Sequence, residues 1–437
     1  MPNQSQSTTI ALPRGKLDLT YQTNTNTKST HDKSYQLKDL LGFAQRINPK
    51  RAFLFVSKVL GRHIPVAPST MRGAFTDLAN LIPDNLPEPI LVIGMAETAV
   101  GLSAGVHQAL QTRYSKALLL NSTRHAQHSK NHHETLFTTF SEDHSHASQH
   151  LIYQSKEQSL QKQLLASKTL IMVDDEASTG NTCVNVVTAL REAGLQQLEQ
   201  VHLTTLVDWS LAKDHTDNAD DTISSRLPDI EFQRHHLLSG AWQWTDAPNP
   251  QPIVMPSVDT TEAGSQTLGD TGNWGRFPTL DSTEGFTDYL NNFQQAFADF
   301  SGQATFDKNQ LPKRILVLGS NEFVWLPFLL AEWLESATLT SKTNANGANN
   351  DASNDASNDA DTTVKFSALT RSPIALGGAI NTMLSFHDNY GLGMTNFVYN
   401  VEPKDWDLIV LCVETAADSV DTMWQDLDNV LVVGVDS

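Results

Sequence analysis

The residues best suited to chemistry are thirteen in a row, Leu170-Ile171-Met172-Val173-Asp174-Asp175-Glu176-Ala177-Ser178-Thr179-Gly180-Asn181-Thr182. An apolar strand ends in two adjacent carboxylates, and a small, hydroxylated turn then opens a helix. Such a segment suits a sugar phosphate. Backbone N–H groups at the turn and helix N-terminus, helped by the hydroxyls of Ser178, Thr179 and Thr182, can cradle a phosphate monoester, and Gly180 lets the backbone approach it closely. Asp174 and Asp175, one step earlier at the strand end, can accept hydrogen bonds from ribose hydroxyls. The spacing is not that of a Walker A loop, and no G-x-G-x-x-G occurs in the chain. An ordinary helix start with Asp and Ser at the cap positions is the plainer reading of the same residues.

Other segments offer groups of their own. Residues 93–101, Ile-Gly-Met-Ala-Glu-Thr-Ala-Val-Gly, follow a second apolar strand, and their small side chains would let backbone amides face phosphate oxygens; the alternative is a tight strand-to-helix turn. Seven of the 15 histidines lie between His125 and His150. On a strand, His144 and His146 would share one face and could seat a metal. Contact with substrate or pyrophosphate is favoured over metal for this pair, and several of the other histidines read as solvated. Farther on, Gly319-Ser320-Asn321-Glu322 and Thr370-Arg371-Ser372-Pro373 each follow an apolar strand, where open α/β sheets bind ligands. Asp388 and Glu414 could join that crevice, and Arg371 suits an anionic group; a surface arginine in a turn is the competing reading.

These groups need elements to hold them. Apolar runs at 89–93, 116–120, 168–173 and 201–207 alternate with helical spacing at 98–112 and 181–193, which predicts a parallel sheet covered on both faces. Residues 53–60 read as either a strand or a helix face. Residues 1–35 are polar, apart from an amphipathic patch at 10–21 that could add a strand to a sheet, and are expected to form a loosely attached arm. A domain is expected over 36–245, a linker over 246–275, and a smaller α/β unit over 276–437 with strands at 314–318, 365–369, 407–413 and 429–435. Residues 338–363 carry a repeated Asp-Ala-Ser-Asn unit and read as a solvated, disordered insertion, centred on about 340–362.

The 30 basic against 49 acidic residues leave a net charge of −19 over 437 residues, which excludes a general nucleic-acid binder. Cys183 and Cys412 are the only cysteines and stand far apart, so neither a disulfide scaffold nor a thiolate zinc site is expected. No apolar run approaches the ~18 residues of a membrane span, and the expected location is the cytoplasm, away from membranes.

The 170–182 segment resembles the 5-phosphoribosyl-1-diphosphate (PRPP) signature of type I phosphoribosyltransferases. That resemblance implies a parallel sheet with flanking helices and a PRPP site, with Mg²⁺ brought by PRPP and no firm protein ligand for the metal. It also implies that Gly94, Met95, Ala96, Glu97 and Thr98 wrap the pyrophosphate, and that Ser178, Thr179, Gly180, Asn181 and Thr182 hold the 5-phosphate. Residues 121–150 are similar to the family's flexible catalytic loop, in which Arg124 becomes the candidate to close over pyrophosphate. Together with 46–66, 142–150 and 370–374, these motifs resemble a bacterial two-domain family, an orotate-phosphoribosyltransferase-like domain followed by a TRSP domain. That family is associated with tellurium-resistance and stress gene clusters and is thought to help make a nucleoside-like metabolite. Ser178 stands where purine-salvage members usually carry Asp, which disfavours a purine acceptor; Glu176 occupies a commonly apolar position.

The expected activity is transfer of ribose 5-phosphate between PRPP and a small nitrogenous acceptor. A non-catalytic PRPP or nucleotide sensor is the alternative, and a second enzyme in the C-terminal unit a third. Glu322, Thr370, Arg371, Ser372 and Asp388 are candidates for a second site, and homodimerisation stays open.

Overall fold

The computed structural model describes residues 5–23, 35–47, 51–127, 136–141, 149–211, 219–258, 266–268, 275–345 and 362–434. The chain divides into two compact units. The first takes residues 1–60, 72–282 and 373–381, and the second takes 61–71, 283–372 and 382–437.

The first unit is built on a seven-stranded sheet of β1 (Gln6–Leu12), β2 (Gly15–Thr23), β3 (Ile90–Gly94), β4 (Leu118–Asn121), β5 (Thr169–Ala177), β6 (Gln200–Asp208) and β7 (Glu231–Asp246). Their spatial order is β1-β2-β7-β6-β5-β3-β4. From β7 to β4 all neighbours run parallel. The inner strands are buried on both faces, and this is why their sequences are continuous apolar runs: every residue of β3 and β4 is buried, as are the first five of β5. Helices α1 (Val100–Leu110) and α2 (Asn181–Glu192) follow β3 and β5. The expected mixed α/β architecture with a mostly parallel sheet is the one found.

Residues 6–23 are not a loose arm. They form a hairpin whose inner strand β2 pairs antiparallel with the second half of β7, from Leu238 to Asp246. Leu17 and Leu19, on alternate positions of β2, are 0% and 1% exposed, so the otherwise polar strand is held by one apolar edge. Phe53–Ser57 is a strand that pairs with Leu41–Gln45, which settles the ambiguity at 53–60.

The second unit holds a four-stranded parallel sheet, β9-β8-β10-β11, made of β8 (Arg314–Ser320), β9 (Thr363–Leu369), β10 (Leu408–Cys412) and β11 (Val430–Val433). An antiparallel hairpin, Met383–His387 with Thr395–Tyr399, packs on one face of this sheet through Phe386 and Val398. Helix α3 runs from Trp325 to Ala345, so the segment read as an insertion starting near 338 is helical for its first turns; residues 346–361 lie outside the described residues. Leu326, Leu329, Leu330 and Leu334 bury that helix's apolar side, and the helix carries on past it into polar sequence. Both cysteines are free and buried. No helix among the described residues is long and apolar enough to cross a membrane.

Candidate active site

Three predicted segments converge at the C-terminal edge of the first sheet. The register pairs Val173 of β5 with Gly94 of β3, so Asp174 begins where β3 ends. The Met95 N–H donates to the Val173 carbonyl at 3.2 Å, which ties the loop after β3 to the strand that carries the diacid. On the other side, Gly94 pairs with Asn121 of β4, and Arg124 follows three residues later. The structure therefore brings together the 94–98 loop, Asp174-Asp175 and the start of the 121–127 segment.

The loop after β3 is held by its neighbours. The Ser122 N–H donates to the Gly94 carbonyl at 2.9 Å, and the Ala96 N–H donates to Ser122 Oγ at 3.0 Å. Ser122 Oγ also lies 3.0 Å from His150 Nδ1, and the His150 ring stacks on Phe140 at 4.8 Å. A side chain at Gly94 would collide with Ser103 and Asn121, so only glycine fits there. The Ala96–Glu97 peptide is cis. Met95 and Ala96 are buried, whereas Glu97 and Thr98 are half-buried.

The diacid sits half-buried. The Asp175 N–H donates to Asp174 Oδ1 at 2.9 Å. Burial, and then the neighbouring Glu176 charge, push the Asp175 carboxyl up to about 6 against contributions from Asp174, a backbone N–H and Arg51 that favour ionisation. Ser178 and Thr179 are exposed, and Gly180 enters α2 in the left-handed region at φ 78°. A Cβ at Gly180 would stand 2.6 Å from Ile223 Cδ1 and 3.0 Å from Arg234 Nη2, so both backbone conformation and space require glycine. The first turn of a helix leaves its N–H groups without intrahelical acceptors, and the 178–182 turn delivers them at the sheet edge beside the diacid.

Two supports went unread in the sequence. Arg234 of β7 lies behind the phosphate-type turn: its Nη1 donates to the Ser178 carbonyl at 3.3 Å and its Nη2 to the Thr179 carbonyl at 3.4 Å. It also pairs with Asp208 at 3.2 Å, with side chains only 7% and 2% exposed. The second support concerns Glu176. Its carboxylate accepts from Arg51 Nη1 and Nη2 at 2.6 and 3.2 Å and from Trp209 Nε1 at 3.2 Å. The Arg51 guanidinium lies 4.6 Å from the centroid of Phe55, which in turn stacks on Trp209 at 4.5 Å. An acid at a commonly apolar position was the one clue to this cluster, and its partner on the Phe53–Ser57 side had no signal of its own.

The histidine-rich region departs from a simple loop. Thr123 bridges to Leu151, His125–Gln127 pairs with Gln266–Leu268, and Leu136–Phe140 pairs with His150–Tyr153. Arg124 is thus flanked by paired backbone and is half-buried. His125 and His150, which the sequence does not set apart from the other histidines of this run, are fully buried because these pairings fold them inward. His144 and His146 lie outside the described residues. Among the described residues no group of three or more His, Cys, Asp or Glu is disposed to hold a metal ion.

Residues 40–241 match the family model described as phosphoribosyl transferase, and residues 275–431 match the TRSP domain that lies C-terminal to it. The chain belongs to this two-domain phosphoribosyltransferase family. Among solved structures, adenine phosphoribosyl transferase from Trypanosoma brucei in complex with AMP, pyrophosphate and ribose-5-phosphate is 13% identical, with 53% of this chain and 86% of that chain covered and a TM-score of 0.31. Adenine phosphoribosyltransferase from Leishmania tarentolae is 13% identical, with 46% and 85% covered and a TM-score of 0.31. Orotate phosphoribosyltransferase from Aeropyrum pernix is 15% identical, with 44% and 82% covered and a TM-score of 0.24. No curated protein matches the chain.

In the TRSP unit the predicted second-site residues also fall at strand ends. Glu322 is 2% exposed after β8, Thr370 is 1% exposed after β9, and Arg371 is half-buried. Ser372 is exposed, with its N–H on Thr370 Oγ1 at 3.2 Å. Asp388 is taken up by its own loop: its carboxylate accepts from the N–H groups of Tyr390, Leu392 and Met394. That is a loop-forming role, and it removes Asp388 as a free acceptor. Tyr390, on the loop so formed, donates its hydroxyl to Glu414 at 2.7 Å.

Proposed function

We propose that this phosphoribosyltransferase-family chain transfers ribose 5-phosphate from PRPP to a small nitrogenous acceptor, in the synthesis of a nucleoside-like metabolite. The observation that carries the reading is the placement of Asp174-Asp175 on central strand β5 just beyond the end of its neighbour β3, with the Gly94–Thr98 loop on one side and the Gly180 turn into α2 following three residues after the strand's last residue. The turn suits the 5-phosphate, the diacid the ribose hydroxyls, and the loop after β3 the pyrophosphate.

In this reaction the sugar C1–O bond to pyrophosphate breaks, a C1–N bond forms, and the acceptor nitrogen loses its proton. Catalysis is then mainly positioning and neutralisation of the leaving group, with Arg124 beside the loop as the protein's cation. The donor set fits Mg²⁺ that arrives on pyrophosphate oxygens: two adjacent carboxylates stand on β5 just beyond the end of β3, and no third ligand joins them among the described residues. When bound, the ion would neutralise the leaving pyrophosphate.

The test is a thermal-shift titration with PRPP and Mg²⁺, combined with pyrophosphate release across a panel of acceptors. At ~100 Kd of PRPP, binding to the native state alone is worth ~2.7 kcal/mol. A melting point indifferent to PRPP, ribose 5-phosphate and nucleotides would overturn the assignment; a PRPP shift without turnover on any acceptor would favour the sensor reading.

A further inference from the structure

The second unit buries a polar patch that its own fold leaves without partners. On β8, Leu316 and Leu318 face the apolar core under the hairpin, and strand alternation puts Ser320 on that same face. On β9, Ser367 shares the face of the core residue Leu369, and the register sets it beside Leu318. Asn396 of the covering hairpin is on the face of Val398, opposite Phe386, both of them in the same core. Ser320, Ser367 and Asn396 are all 0% exposed, and neither hydroxyl, nor either amide atom of Asn396, has a hydrogen-bond partner among the described residues. Asn321, next along the chain, is 0% exposed with both amide atoms in the same condition. Buried polar side chains are almost always paired, and several together at one end of an apolar layer point to a ligand that pairs them. Ser320 closes β8 and Asn321 follows it, Ser367 stands two residues before the end of β9, and Asn396 precedes Phe397, which bridges to Thr370 just past β9, so the patch gathers toward the C-terminal edge of the parallel sheet, where α/β sheets place their ligands.

The chemistry of the patch narrows the occupant. Hydroxyls and carboxamides both donate and accept, which suits the hydroxyls of a sugar and the edge of a heterocycle; a bare phosphate would call for donors only. Glu414, 1% exposed two residues past β10 and holding the Tyr390 hydroxyl, puts a carboxylate at the same sheet edge that a bare phosphate would avoid. Arg371, half-buried just past β9, supplies a cation nearer the surface. We propose that the TRSP unit binds a nucleoside 5′-monophosphate here, with base and sugar on the buried amides and hydroxyls and the phosphate toward Arg371. The choice of nucleotide rests in part on the transfer reaction proposed above, whose product is of this class.

The experiment uses the full chain carrying D174N and D175N, so that the site on the first sheet no longer contributes. Calorimetry with AMP, GMP, CMP and UMP should show one site per chain for at least one of them, with uridine or adenosine weaker and inorganic phosphate weakest. N396L in that background should weaken the nucleotide at least tenfold and leave the melting temperature unchanged or raised, because Leu replaces an unpaired amide in an apolar layer. S367A, a smaller change, should weaken binding in the same direction. Absence of binding for every nucleotide in the D174N/D175N chain would overturn the proposal, as would an N396L variant that melts lower and binds as before. A parallel PRPP titration of the parent reports on the transferase reading separately.

Discussion

Asp175→Asn should make the ligand-free protein more stable at neutral pH while weakening its response to PRPP. Burial and Glu176 lift the Asp175 carboxyl from 3.8 to about 6, so the folded state holds this proton more tightly than the unfolded chain does. Between those two values the native state binds more protons, and stability falls as pH rises through the window. Below about 4 the carboxyl is neutral in both states and the penalty is absent; above about 6 the penalty is complete. A midpoint displaced this far corresponds to ~3 kcal/mol. The carboxyl keeps some contact with water, so ~1–2 kcal/mol is the gain expected from a neutral amide at pH 7.5. For a unit of this size that is a rise of ~2–8 °C in melting temperature. Differential scanning fluorimetry of parent and variant from pH 4 to 8 measures it directly. The gap should open between pH 4 and 6 and stay constant above. A variant that melts below the parent at pH 7.5, or a gap independent of pH, would refute the reasoning. Loss of the PRPP-induced shift in the same variant would place the cost of the strained carboxylate at the site that uses it.

Arg124→Ala should lower kcat by ~10- to 100-fold while keeping most of the PRPP-induced thermal shift, because a cation at the leaving group acts mainly in the transition state; an unchanged kcat would move that role to another residue. Arg234→Met should cost ~3–5 kcal/mol, since it strands the nearly buried Asp208 carboxylate and releases the Ser178 and Thr179 carbonyls, and urea unfolding that shows less than 1 kcal/mol would mean the pair is solvated in solution. Removing residues 346–361 should leave soluble yield and the PRPP shift intact, because lengthening or shortening a polar loop changes closure entropy by well under ~1 kcal/mol; insoluble protein would show that the segment packs.

Much of the fold was legible because the central strands are buried on both faces. Runs such as Ile90–Gly94 and Leu408–Cys412 have no polar face to confuse their period, and Gly94 at the end of the first and Glu414, two residues past the second, mark the C-terminal edge of each sheet. The edges were harder to read. Strand β2 keeps just two buried side chains, Leu17 and Leu19, among alternating polar residues, and nothing local says that β7 will run on for 16 residues to receive it. The end of α3 was misread for a related reason: composition marks where a helix stops having an apolar face, and the hydrogen-bond ladder continued to Ala345 beyond that point.

The site divides along the same line. The contiguous part of the candidate site was readable as an arrangement, because a strand, a diacid, a small turn and a glycine in sequence are also neighbours in space. Residues that act from a distance were not. Arg234 meets the turn from 56 residues away and Arg51 meets Glu176 from 125 away, and an isolated arginine carries no local sign of its partner. Glu176 is the instructive case. An acid where the family is commonly apolar would be costly without compensation, and here Arg51 and Trp209 supply three donors. The same carboxylate raises the proton affinity of Asp175 one residue earlier, while Arg51 opposes it. Beyond burial, the charge on the candidate ribose acid is therefore tuned by two residues 125 apart in sequence, so Arg51→Met should raise the Asp175 midpoint and shift the pH dependence of PRPP binding upward. A PRPP affinity profile that keeps its midpoint in that variant would show that Glu176 and Arg51 brace the fold without tuning the acid.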